Sequence, residues 1–117
     1  MPHLVLEASA NIHECNVRLE QMLLECHQIL VEKLPTQIES CRSRVVLHDI
    51  YVVGDNTPNH AFMHLTVKLL KGRTKELLMD TGELLKLKLQ EFCSRSMEHL
   101  KLHISVEITE LSDVYIK

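Results

Sequence analysis

The chain has no tryptophan, and its 117 residues include only two tyrosines and two phenylalanines. Aromatic side chains usually dominate a core because each buries roughly 150–250 Å². Here aliphatic residues must do that work, and a monomer would be thinly cored. No apolar run approaches the roughly 18 residues of a membrane span, and no basic stretch followed by an apolar one marks export. A cytoplasmic location and no membrane partner are expected. Positive charge is also scarce: 13 Lys and Arg against 16 Asp and Glu give a net charge of −3. That balance excludes the basic footprint of a nucleic-acid binder. The four cysteines, Cys15, Cys26, Cys41 and Cys93, form neither a C-x-x-C pair nor a zinc-ribbon spacing and read as small buried hydrophobes. Cys41 sits beside Arg42 and Arg44, which can activate a thiol, but the sequence offers it no base. Of the eight histidines, His60 and His64 fall in a strand-like run, where four residues span about 13 Å. They can share a face but cannot clasp one ion. Nothing calls for a metal, nucleotide or flavin, so no cofactor is expected.

What the chain does have begins at its first residues, Met1-Pro2-His3-Leu4-Val5-Leu6-Glu7. Proline after the initiator methionine satisfies the usual condition for methionine removal, which would leave a secondary amine leading directly into the apolar strand Leu4–Leu6. A terminal amine titrates at roughly 8 when unperturbed. Fixed positive charges nearby lower that value and make the amine a general base near neutral pH. The plainer alternative for Pro2 is the start of an edge strand.

Asn11 and Glu14, three apart, predict an N-cap pair for a first helix. Leu19, Leu23, Cys26, Leu30 and Leu34 then recur at helical spacing until Pro35 stops the pattern. Val45 to Val53 is rich in β-branched residues and predicts a second strand. The segment Gly54-Asp55-Asn56-Thr57-Pro58-Asn59 predicts a turn. Residues 61–69 alternate as a third strand. Thr74 is the expected N-cap of a second helix with the stripe Leu78, Leu85, Leu89 and Phe92, and with Thr81 and Gly82 where helix and sheet approach closely. Residues 102–109 alternate as a fourth strand. The order is β-α-β, turn, β-α-β, with pseudo-repeats over about 2–54 and 60–111 of a single domain. This predicts a two-layer α/β (α+β) protomer: a four-stranded sheet with two helices on one face. The second strand is apolar on both faces, so its bare side needs a second cover. An oligomer with bare sheet faces turned inward is expected, its lining mixed because His64, Thr66, Lys68, His103, Ser105 and Glu107 join it.

The duplicated β-α-β order and the amino-terminal proline together resemble the tautomerase superfamily, and within it the 5-carboxymethyl-2-hydroxymuconate isomerase family. The resemblance rests on Met1-Pro2-His3-Leu4-Val5-Leu6-Glu7, Arg42-Ser43-Arg44-Val45, Ala61 to Lys68, Gly72-Arg73, and Ser105 to Leu111. These stretches span nearly the whole chain in the right order. The resemblance implies a homotrimer with active sites at subunit interfaces, and cofactor-free proton transfer in an unsaturated dicarboxylate. It implies Pro2 as the base, Arg42 and Arg73 as residues that bind and polarise substrate carboxylates, and Arg44 as a further substrate contact. Arginine suits a small-molecule carboxylate because it makes bidentate contacts and stabilises a developing enolate. Arg73 also lies just before a helix N-terminus, where a cation gains nothing from the helix dipole. Ile38 to Cys41, before the Arg-Ser-Arg motif, and the short segment Asp113 to Lys117 are both in positions to shape the pocket. A non-catalytic trimer with a capped proline, and a hydrolase or dehalogenase using the same groups, are the competing readings.

Overall fold

A computed structural model describes residues 1–117. The elements are β1 (His3–Ser9), α1 (Asn16–Lys33), a 3₁₀ turn (Ile38–Ser40), β2 (Arg42–His48), β3 (His60–Leu69), α2 (Lys75–Phe92), α3 (Ser94–His99) and β4 (Lys101–Glu110). The strands form one sheet in the order β2-β1-β3-β4. β1 and β2 run parallel, β1 and β3 antiparallel, and β3 and β4 parallel. The expected α+β protomer, four strands with two main helices, is what forms.

Alternation decides which face each strand buries. Leu4, Leu6 and Ala8 of β1 and Met63, Leu65, Val67 and Leu69 of β3 are buried against Leu19, Met22, Leu23, Cys26 and Leu30 of α1 and Leu85, Leu89 and Phe92 of α2. Tertiary burial of these stripes, more than helix propensity, holds the helices. α1 stops where expected: the Leu34 amide donates to the Leu30 carbonyl at 2.9 Å, and Leu34 is extended before Pro35 (φ −123°, ψ 149°), as a residue preceding proline prefers. The hydroxyl of Thr74 caps α2 by accepting from the Leu77 amide at 3.2 Å.

Three expectations need correction. The first concerns the start of α1, whose N-cap is Cys15, without a side-chain cap bond. Asn11 instead donates from Nδ2 to the His60 carbonyl at 2.9 Å. The buried Glu14 carboxylate accepts from the amide and the hydroxyl of Ser96. The Glu14 carboxylate is taken up by Ser96, and Asn11, anchored through Nδ2 with its Oδ1 unpaired, lies too far before the helix start to cap it. The second concerns β2, which ends at His48 and not at Val53. An edge strand needs its one neighbour, and β1 is paired only as far as Ser9 opposite His48. Beyond that the Ala10 amide donates to the His48 carbonyl and the chain turns away. Ile50 and Val52 are left 96% and 71% exposed, and Tyr51 packs edge-on against Phe62 with centroids 6.1 Å apart. The third is α3, which the apolar pattern did not announce.

The second sheet face has no cover within the chain. It carries His3, Val5 and Glu7 of β1, Arg42, Arg44, Val46 and His48 of β2, His64, Thr66 and Lys68 of β3, and His103, Ser105 and Glu107 of β4. His48 donates to Glu7 at 2.9 Å, and His64 lies 3.4 Å from Glu107. The lining is mixed where β3 and β4 contribute, as the alternation predicted, but β2 is not apolar on this face as expected: it ends before Ile50 and Val52 and presents Arg42, Arg44 and His48 with Val46 alone. At the two sheet edges lie similar grooves, one of about 620 Å³ between α1 and β2 and one of about 530 Å³ between α2 and β4.

Candidate active site

The topology gathers the candidate residues at one end of the sheet. β1 and β2 are parallel, so Pro2 and Arg42 start side by side, and the Arg42 amide donates to the Pro2 carbonyl at 3.0 Å. β3 runs the other way and finishes at this end, with Lys68 opposite His3. The loop after β3 therefore delivers Arg73 here. Gly72 adopts φ +118°, a left-handed conformation that a side chain would strain, and Arg73 Nη1 folds back to donate to the Leu70 carbonyl at 2.7 Å. β4 is parallel to β3 and also finishes here. The Leu111 amide donates to the Leu69 carbonyl at 2.6 Å, after which the last residues return toward the amino terminus.

Pro2 is buried, and Met1 caps its nitrogen as an amide in this chain. Arg42 Nη1 donates to the Met1 sulfur at 3.3 Å and to the Ser40 carbonyl at 3.1 Å. The Tyr115 hydroxyl lies 3.8 Å from the same sulfur. Burial comes first among the causes that hold the Met1 amine below its ordinary value, followed by the charges of Lys117, Arg73 and Arg42, with Cys41 opposing. Three cations thus surround the chain start. Arg44 reaches along the bare face, with Nη1 3.2 Å from His3 Nδ1. His3 Nε2 is 2.8 Å from the Tyr115 hydroxyl. Burial, then Arg44, Arg42, the amino terminus and Lys68 all push the His3 pKa down. The Cys41 thiol is pushed up, chiefly by burial, and lies 3.7 Å from the Gln37 carbonyl. It is therefore no ready thiolate.

The structure thus brings Pro2, Arg42 and Arg73 to one place and sets Arg44 one contact further out. His3, Tyr115 and Lys117 belong to the same cluster but do not stand out in the sequence. Their only signal was the position of the last segment, which comes back to the first strand over a separation of 112 residues. None of the larger grooves contains Pro2, Arg42 or Arg73, although Arg44 lines the one between α1 and β2. The size of the two edge grooves reflects unfilled sheet edges, and the cluster of Pro2, Arg42 and Arg73 lies outside them, at the end of the sheet where β1 and β2 begin.

The family model for 5-carboxymethyl-2-hydroxymuconate isomerase matches residues 2–117. The chain belongs to that family. It is an isomerase of the tautomerase superfamily. The 5-carboxymethyl-2-hydroxymuconate Delta-isomerase of Escherichia coli is 31% identical over 111 residues, covering 95% of this chain and 87% of that relative. A 5-carboxymethyl-2-hydroxymuconate isomerase from Deinococcus radiodurans R1 superposes with a TM-score of 0.87 at 28% identity, over 99% of this chain and 88% of that one. A fused 4-OT symmetric trimer shares the fold with a TM-score of 0.75 at 15% identity, over 97% of this chain and 89% of that one. For this family member, the match to residues 2–117 takes in Pro2, Arg42, Arg44 and Arg73 together with the whole last segment.

Proposed function

We propose that the protein moves a proton within an unsaturated hydroxy or oxo dicarboxylate of the 5-carboxymethyl-2-hydroxymuconate kind, using Pro2 as general base after Met1 is removed. The observation that carries this reading is the crowd of cations, Arg42, Arg73 and Lys117, that with burial depresses the Met1 amine one residue away; a Pro2 amine left by removal of Met1 would lie among the same charges. The enol hydroxyl gives its proton to the Pro2 nitrogen, and the electron pair moves along the conjugated chain. The resulting prolinium returns the proton at a distant carbon, so charge and atoms balance with no cofactor. Arg42 and Arg73 bind the substrate carboxylates and stabilise the negative charge that develops on the enol oxygen. The same charges disfavour the ammonium form of Pro2, and each pKa unit is worth about 1.4 kcal/mol. Binding and base strength therefore come from one arrangement.

The uncovered second sheet face supports a second part of the reading. The protein works as a homotrimer with the bare sheet faces inward, and a neighbouring subunit walls in each site. The decisive test is intact mass with an assay on a simple enol acid, followed by Pro2→Ala. Protein lacking methionine should turn over the enol. Pro2→Ala, with a primary amine, should lose at least about tenfold in kcat while assembling normally. Full activity in Pro2→Ala, or in protein that keeps Met1, would refute Pro2 as the base. The latter outcome would also sink the idea that a capped proline makes a non-catalytic relative.

A further inference from the structure

Two donors converge on one atom beside Pro2. The Met1 sulfur sits 3.3 Å from Arg42 Nη1 and 3.8 Å from the Tyr115 hydroxyl. A thioether sulfur is only a weak acceptor, and here it stands in for an acceptor oxygen. Removal of Met1 takes the sulfur away and leaves both donors free next to the proline nitrogen.

The hydrogen bonds fix which way Tyr115 donates. Arg44 has donors only, so the His3 Nδ1 that it meets at 3.2 Å must be the acceptor. The His3 proton then resides on Nε2 and is donated to the Tyr115 oxygen 2.8 Å away. The phenol oxygen is thereby occupied as an acceptor, and its own proton can be given onward. Burial, then the Arg44, Arg42, amino-terminal and Lys68 charges push the His3 pKa down, the direction that this neutral tautomer needs. Each donor in such a chain polarises the next.

We propose that Arg42 and Tyr115 form a two-donor subsite for one carboxylate or enolate oxygen of the substrate, with Arg44 and His3 as positioning residues that orient and polarise the Tyr115 hydroxyl. This deepens the proline-base reading and rests on it. It gives Arg44 a role that does not require substrate contact. It also gives the last segment a task in the reaction: the buried Leu111 and the Lys71–Asp113 pair at 2.7 Å hold Tyr115 over the chain start.

The test uses methionine-free protein, verified by intact mass, with a dicarboxylate enol as substrate. Tyr115→Phe should lower kcat/KM about tenfold to a hundredfold, the usual loss for one hydrogen bond to a charged group, while its melting temperature stays within a few degrees. His3→Leu should reproduce most of that loss. His3→Gln should recover much of it, because an amide can accept from Arg44 and donate to Tyr115. The Tyr115→Phe/His3→Leu double variant should be no worse than Tyr115→Phe alone, since both remove the same donor. Unchanged kcat/KM in Tyr115→Phe, with Pro2→Ala inactive, would overturn the subsite and leave the base intact. Losses that multiply in the double variant would overturn the relay. Activity in Pro2→Ala would fail the underlying reading separately.

Discussion

Pro2 and Arg42 are joined by a main-chain hydrogen bond of 3.0 Å, so no side-chain rotamer search separates the proposed base from the strand that carries its principal arginine. Such backbone placement is what precise positioning of reacting groups needs. Arg73 reaches the same place from a loop shaped by Gly72, and its charge acts on the amine over a distance. The sign of that action gives a pH prediction. The Met1 amine is held below its ordinary value, and a Pro2 amine left among the same charges should be lowered in the same direction, so kcat/KM should rise with pH through an apparent pKa below that of an unperturbed proline amine. Arg73→Ala removes one depressing charge and should move that acid limb upward, with KM for dicarboxylates raised as well. A limb that stays put while KM rises would confine Arg73 to binding. Pro2, Arg42 and Arg73 could be nominated from the sequence because the stretches around them carry the family resemblance. His3 and Tyr115 were not, because their link exists only once the sheet has brought the two ends of the chain together.

Elements were legible to the extent that their partners were. β1, β3, α2 and β4 follow their apolar patterns because each is paired or packed along its length. β2 was read too far, through Val53, because β-branched content reports preference and not the presence of a neighbour to pair with. Asn11 and Glu14 have the spacing of a cap pair, yet the fold uses them to hold His60 and Ser96. Removing the carboxylate in Glu14→Ala leaves the buried Ser96 amide and hydroxyl unpaired and should cost about 1–3 kcal/mol, read by denaturant unfolding. Gly82 shows the opposite sign. It lies inside α2, and an added Cβ would meet Ile108 Cδ1 at 3.5 Å, an ordinary contact. The close approach of helix and sheet is real, but it leaves room for one methyl group. Gly82→Ala should therefore stabilise the protein by about 0.5–1 kcal/mol; a loss of stability would mean that the neighbouring strand cannot tolerate even that contact.

At the scale of the whole molecule, the single chain is incompletely covered. It exposes 7219 Å², against about 6,500 Å² for a monomer of this mass by the usual size scaling. Only 24 of its 117 residues are buried. Large apolar side chains left in solvent include Ile50 and Val52 after β2, Val114 and Ile116 in the last segment, and Val17, Leu24, Met79 and Leu87 on the helices. Covering an isoleucine or valine of that exposure is worth about 1.5–3 kcal/mol each, and closed symmetry counts each such contact once per subunit. That makes the segment after β2, apolar without a strand to pair with, the clearest place to test the proposed trimer. Ile50→Asp should shift the species of about three times 13.5 kDa toward monomer by light scattering at micromolar concentration. Enol turnover should fall in step, because a site without its neighbour has no wall to exclude water. The amino-terminal cluster of Pro2, Arg42 and Arg73 is on other elements and should keep its local structure. A variant that stays trimeric and active would put Ile50 outside the interface. One that dissociates yet keeps full turnover would show that each site is complete within its own subunit.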